Sequence, residues 1–282
     1  MFLASLIRWS INNNGIVIAY VYGPMGYGKT SYALWTAYEV LGDWSKVFDH
    51  MFFDLDEALD FMYRFIMRGR RIPIIILDDA GFFLNRLTWW EKPKVEFMEL
   101  FNLARSIAAS IIFTSPTEEV PRQLLSKTNF RVNVRPLTEE EMQSENVLEV
   151  SKIAQEFGLE PFVAVAKGYR LNVLPSFMKI VQKEYIDYYP LYYPVFEEYN
   201  KIRMKYIKRK VVKLMKKRQE DREKLLEEAA EIYRKAGPRE AFGFLIESGL
   251  PRTTALRWVR KRIPNLLKSQ GGVGGGSPTT AS

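Results

Sequence analysis

The residues Gly23-Pro24-Met25-Gly26-Tyr27-Gly28-Lys29-Thr30 fit the spacing G-x-x-x-x-G-K-[ST] without a mismatch. Glycines at Gly23, Gly26 and Gly28 let backbone N–H groups curl around a phosphate, and the helix that follows presents its positive end to the same anion. Lys29 is placed to reach β- and γ-phosphates, Thr30 to offer a hydroxyl to Mg²⁺, and Ser31 to complete the cradle. Further along, Ile74-Ile75-Ile76-Leu77-Asp78-Asp79 is an apolar run that ends in two carboxylates. Asp78 would hold Mg²⁺, directly or through water, beside Thr30, and Asp79 would orient the attacking water. The alternative for Asp79 is to cap the turn with Ala80-Gly81. A third strand, Ser110 to Pro116, ends in Thr114 and Ser115, and either hydroxyl can contact that water. Thr114 is the preferred candidate. The chemistry these types support is nucleoside triphosphate hydrolysis with ATP and Mg²⁺ as ligands.

These side chains need strands whose carboxyl ends meet at one edge. The chain supplies them. IVIAYVY (Ile16 to Tyr22), IPIIIL (Ile72 to Leu77) and ASIIFT (Ala109 to Thr114) are apolar on both faces, as buried parallel strands are. Helical spacing covers Ser31 to Leu41, Asp54 to Met67 and Lys94 to Ser106, and Val132 to Val134 reads as one more strand. Alternation of this kind implies an α/β sandwich around a mostly parallel sheet, followed by an all-α C-terminal region. The expected division is residues 1–136 as the nucleotide domain and 137–194 as a bridging or lid segment. A long basic helix would cover 195–236, a helix-turn-helix unit 237–268, and a flexible Gly/Ser-rich tail 269–282.

Composition narrows the chemistry. The chain of 282 residues has no cysteine and one histidine, so disulfides, thiol catalysis, zinc fingers and Ser–His triads fall away. The opening MFLASLIRWS is too short to span a membrane and lacks a basic segment leading a long apolar run. A cytoplasmic protein without a membrane span is expected. The net charge of +8 is unevenly placed: residues 1–200 hold 20 basic and 25 acidic side chains, residues 201–282 hold 21 and 8. Such asymmetry points to a polyanionic partner for the C-terminal part.

Two C-terminal features carry that charge. Lys201 to Arg218 contains ten Lys/Arg and no acid, with Ile202, Tyr206, Val211, Leu214 and Met215 interleaved. An amphipathic basic helix of this kind also suits a membrane surface or a calmodulin-like partner. Then Ala241 to Arg260 has the pattern of a helix-turn-helix: Phe244 and Leu245 on one helix, Gly249 in the turn, and Ala255, Trp258 and Val259 turned inward on the next. Arg252, Thr253, Thr254, Arg257 and Arg260 would face double-stranded DNA, the first residues toward base edges and the later arginines toward phosphate. An ordinary helical hairpin with a basic face is the alternative.

The stretches IIILDDAGFF and SIIFTSPTEEVPRQLLSKTNFRVNV resemble the Walker B and sensor 1 regions of AAA+ ATPases of the DnaA/IstB type. They are also similar to the Zot-like and FtsK–HerA P-loop ATPases of phages, archaeal viruses and plasmids. The resemblance covers about residues 15–135 and implies a P-loop sandwich, ATP hydrolysis and a homo-oligomer whose sites are completed in trans. Where AAA+ members carry an arginine in a Ser-Arg-Phe-like turn, this chain has Thr128-Asn129-Phe130. Arg105, Arg122 and Arg131 are then the candidates for an arginine finger. The leading expectation is an ATPase that couples nucleotide state to DNA binding, in replication initiation or maintenance of an archaeal mobile element. The alternatives are a DNA translocase or packaging ATPase, and a nucleotide-gated transcription regulator with little hydrolysis.

Overall fold

The computed structural model describes residues 1–80, 92–118, 124, 126–173 and 179–271. The chain forms two units, Met1–Arg203 and Met204–Ser282.

The first unit is built on a sheet of seven strands among the described residues. They are β1 (Val17–Tyr22), β2 (Met51–Phe52), β3 (Ile75–Leu77), β4 (Ser110–Ser115), β5 (Phe130–Arg135), β6 (Val163–Val173) and β7 (Lys179–Pro190). Their spatial order is β2-β3-β4-β1-β5-β6-β7. The first five run parallel, while β6 and β7 pair antiparallel to β5 and to each other. The sheet is therefore mixed but mostly parallel. The fold class expected of this half is observed.

Side-chain period decides what each face packs against. Ile18, Tyr20 and Tyr22 of β1, Ile75 and Leu77 of β3, and Ile111 and Phe113 of β4 belong to one buried cluster. It is closed by α4 (Leu55–Met67), which follows the short α3 (Trp44–Asp49), and by α5 (Lys92–Asn102) and α6 (Ala104–Ile107), through Leu59, Met62, Phe97, Phe101 and Ile107. The intervening residues Val21, Ile76, Asp78, Ile112 and Thr114 lie on the other face, toward α1 (Phe2–Asn12) and α2 (Lys29–Leu41). The chain is interrupted at Leu103, so the single helix expected over Lys94 to Ser106 is two.

Segment 137–194, expected to bridge or cover, instead holds α7 (Glu139–Met142), α8 (Glu145–Glu156) and the hairpin strands β6 and β7. Residues of this hairpin are part of the core: Val165, Ala166, Tyr185 and Tyr189 are buried. Gly168 sits opposite Tyr185 in the ladder, and a Cβ there would collide with the tyrosine ring. On β7, the buried Asp187 accepts from the backbone N–H of Phe2 at 2.6 Å and from the Tyr32 hydroxyl at 2.8 Å. A carboxylate at a helix start satisfies orphan donors and the dipole, so β7 caps α1 and ties it to α2. Arg71 performs a comparable service below the sheet, donating to the carbonyls of Ser10, Gly15, Arg105 and Ala108. The lone histidine is structural in its setting: His50 is buried, shares a 2.7 Å hydrogen bond with the Ile74 carbonyl, and burial lowers its pKa.

Helix α9 (Phe196–Ala236) starts in the first unit and continues into the second, where α10 (Pro238–Glu247), α11 (Arg252–Arg257), a π-helical turn (Trp258–Arg262) and α12 (Ile263–Gly271) follow. This C-terminal region is helical throughout its elements. Its core gathers Leu226, Ala229 and Ala230 of α9 with Ala241, Leu245, Ala255, Trp258, Val259 and Ile263. Residues 272–282, most of the expected tail, lie outside the described residues. Among the described residues, no helix is long and apolar enough to cross a membrane.

Candidate active site

The register of the central strands assembles the site. Leu77 pairs with Phe113, so the next residues, Asp78 and Thr114, stand side by side at the carboxyl edge. Tyr22 pairs with Ser115, which brings the glycine loop to the same edge. Thr114 and Asp78 both follow a residue of the buried cluster and so share the α2 face. Ser115 has the opposite direction and bonds instead to Thr117 at 3.1 Å.

Three glycines with positive φ shape the loop: Gly23 at 149°, Gly26 at 84° and Gly28 at 87°. At Gly23 a side chain would run into the Val134 carbonyl of β5, so the close backbone approach requires glycine. Gly28 is the N-cap of α2, and its carbonyl accepts from the Tyr189 hydroxyl at 3.1 Å. Lys29 is buried, and its Nζ donates to the Pro24 carbonyl at 2.7 Å. Desolvation lowers its pKa, opposed by the charges of Asp79 and Asp78 and reinforced by that of Arg203.

Asp78 is fully buried and collects three hydroxyl donors. Thr114 Oγ1 donates at 2.6 Å, Thr30 Oγ1 at 3.0 Å and the Tyr199 hydroxyl at 2.9 Å. Burial raises its pKa, Asp79 adds to the rise, and the three hydrogen bonds counter it. Asp79 takes φ of 52°, a left-handed conformation that Asp tolerates, and its N–H donates to Thr114 Oγ1 at 2.9 Å. The turn separates the two adjacent carboxylates: Asp78 points inward, while the Asp79 side chain is 44% exposed and pairs with Arg203 at 2.9 Å. A hydroxyl and a carboxylate at hydrogen-bond distance form a hard oxygen donor set. It suits Mg²⁺, which takes few protein ligands when phosphate oxygens and waters supply the rest. Thr30 and Asp78 would hold the ion. A lysine, a loop of backbone amides and a second, outer carboxylate complete what phosphoryl transfer to water needs.

No family model matches the chain. It is 38% identical over 125 residues to the uncharacterised protein B-251 of Sulfolobus spindle-shape virus 1, covering 42% of this chain and 50% of that one. It is 28% identical over 137 residues to the uncharacterised ORF286 of Acidianus two-tailed virus, covering 44% and 48%. The chain thus spans about half the length of the curated relatives it matches. Among solved structures it overlaps the genome packaging NTPase B204 of Sulfolobus turreted icosahedral virus 2, in its complexes with AMP and with AMPPCP. The identity there is 13%, the cover 61% of this chain and 98% of that one, and the TM-score 0.31.

Gly23, Gly26, Gly28, Lys29, Thr30, Asp78, Asp79 and Thr114 all converge at this edge, whereas Ser31 is buried behind the loop. The arginine candidates are elsewhere or engaged. Arg105 precedes β4, at the amino ends of the strands, and donates to the Asn14 carbonyl at 2.8 Å. Arg131 is largely covered, pairs with Glu118 at 3.1 Å and lies 5.0 Å over the Tyr22 ring. Arg122 lies outside the described residues.

Two residues were missed by sequence reasoning: Tyr199 and Arg203, on the opening turns of α9. The spacing of four residues, which puts them on one helix face, was a visible signal. It was submerged in a segment whose basic count drew attention to polyanions instead. The tyrosine-rich stretch accounts for their placement. Tyr189 supports the glycine loop, and Tyr199 packs between Tyr193 at 5.9 Å and Phe53 at 5.8 Å. Burial pushes the Tyr199 and Tyr193 hydroxyl pKa values far above the ordinary range, and Asp78 adds to both shifts. Both phenols are therefore neutral, and Tyr199 remains a donor to Asp78.

In the second unit, Arg252, Thr253, Arg257 and Arg260 are exposed and Thr254 is half-buried. Gly249, with φ of 82°, makes the turn between α10 and α11. Trp258 is buried, and the Arg262 guanidinium lies 5.2 Å over its ring.

Proposed function

We propose that this chain is a Mg²⁺-dependent ATPase. The observation that carries the proposal is the meeting of Thr30, Asp78 and Thr114 at the mouth of the glycine loop that ends in Lys29. The loop amides and Lys29 bind the β- and γ-phosphates. Asp78 and Thr30 hold the metal, which when bound neutralises charge developing on the phosphate oxygens. Asp79 accepts a hydrogen bond from the attacking water, and Thr114 keeps that carboxylate at its station by accepting its backbone N–H. Phosphate release measured for wild type, Lys29→Ala and Asp79→Asn tests the reading. Wild-type turnover by Asp79→Asn would remove Asp79 as the residue that activates water.

The work done with that hydrolysis is proposed to be DNA translocation or packaging. The competing reading is a switch that couples nucleotide state to DNA binding, in replication initiation or maintenance of a mobile element. The C-terminal unit is the proposed DNA contact, with α10, the Gly249 turn and α11 acting as a helix-turn-helix and Arg252, Thr253, Thr254, Arg257 and Arg260 facing the duplex. The exposure of those arginines over a compact apolar core supports it. Turnover stimulated by any duplex, with a steep loss of binding as salt rises, is the expected behaviour. Footprinting at one sequence with weak turnover would favour the initiator or regulator instead. Association of several copies, with sites completed in trans, belongs to the same proposal.

A further inference from the structure

The Arg203 guanidinium enters the site from the same chain that builds it. It lies 2.9 Å from Asp79 Oδ2, and Tyr199, one turn earlier, holds the same helix face to Asp78. The Lys29 pKa, lowered chiefly by burial, is lowered further by the Arg203 charge. The three groups differ in how firmly they are held. Asp78 is sealed, with three hydroxyl donors, whereas the Arg203 and Asp79 side chains are 41% and 44% exposed. An ion pair that open to water is weakly held. A terminal phosphoryl group carries more charge than a carboxylate and matches the planar guanidinium fork, so it competes effectively for Arg203. Tyr199 limits how far Arg203 can travel, because its ring is packed and its hydroxyl is engaged.

We propose that Arg203 is the residue that distinguishes nucleoside triphosphate from diphosphate, leaving Asp79 for the γ-phosphoryl group and thereby freeing the Asp79 carboxylate to receive water. The inference rests on the ATPase reading of the site. It adds a consequence of its own: with diphosphate bound, Arg203 stays on Asp79, and the outer carboxylate is masked until a triphosphate arrives.

The test is a set of dissociation constants for ADP and for a non-hydrolysable ATP analogue, each with Mg²⁺, on the full chain. Wild type is expected to prefer the triphosphate by about tenfold or more. Arg203→Gln should bring that ratio close to one while leaving ADP affinity within about threefold, and Arg203→Lys should restore part of the ratio. Asp79→Asn should raise the ratio, because the competitor for Arg203 is gone, and should fail to raise it in the Arg203→Gln background. An unchanged ratio in Arg203→Gln, with ADP binding intact, overturns the inference and leaves the ATPase reading standing. No binding of either nucleotide by wild type removes both. If Arg203→Gln loses ADP affinity through misfolding, Arg203→Lys and the Asp79→Asn ratio still decide: wild-type ratios in both refute the inference.

Discussion

Thr30 and Asp78 are 48 residues apart in the chain and 3.0 Å apart in space, hydroxyl to carboxylate. One stands at the start of a helix and the other just past the end of a strand, and β4 lies between their two strands. Because β4 is the strand inserted there, Thr114 reaches Asp78 on the same side, and one carboxylate receives both hydroxyls.

Removing the Lys29 cation should abolish nucleotide binding without unfolding the protein. Lys29→Ala is expected to weaken ATP and ADP by at least about a hundredfold, on the order of 3 kcal/mol, in calorimetric titration. Thr30→Ala should keep ADP binding without metal and lose the gain that added Mg²⁺ confers.

Asp78 carries a burial cost as a charged group. Its pKa in the folded chain is raised, so its favourable contribution is present below the unfolded carboxyl pKa and is lost as pH rises through the folded value. At neutral pH the buried charge is a cost. Asp78→Asn should therefore melt a few degrees higher at pH 7, on the order of 1 kcal/mol, with the advantage shrinking as pH falls. The same variant should lose Mg²⁺-dependent turnover. A lower melting point at pH 7 would show that the three hydrogen bonds outweigh the burial.

Glu141 presents the opposite sign. Arg135 grips its carboxylate at 2.7 Å, and Thr138 completes a reciprocal cap at the start of α7, which together hold its pKa down to about 2. The stability it lends is present above the unfolded pKa and is lost as pH falls through the folded value. A carboxyl-detected NMR titration should place Glu141 near 2 and Arg135→Ala should return it toward the ordinary range.

Gly168→Ala should be strongly destabilising, by about 2 kcal/mol or more, because its Cβ meets the buried Tyr185 ring on the facing strand. Gly158→Ala offers a control with open space but a positive φ of 69°, expected to cost about 1 kcal/mol. Denaturant midpoints measure both. Equal costs would mean that the hairpin gives way around Tyr185.

Trp258→Ala should unfold the C-terminal helical unit, costing about 3–5 kcal/mol through the cavity it leaves, while ADP still binds at the glycine loop. Circular dichroism and nucleotide titration on the same sample separate the two effects. Simultaneous loss of both would mean that the first unit depends on the second for its fold.

What sequence alone determined about this protein is local. The glycine loop needs its glycines where φ is positive, the apolar runs before Asp78 and Thr114 must be buried strands, and Gly249 marks a turn, because each is dictated by neighbours within a few residues. Helix α1 and the hairpin of β6 and β7 escaped that reading. α1 is held by Asp187, far along the chain, and the hairpin carries a mid-strand glycine and many tyrosines that suit several environments. Tertiary structure alone decided which hydroxyl meets Asp78, since that follows from strand order and register rather than from either strand. It also decided that Tyr199 and Arg203 belong to the site. Charge runs without periodicity do not announce which of their members face inward, and only the packing of Tyr199 between Tyr193 and Phe53 turns that face of α9 onto the two aspartates.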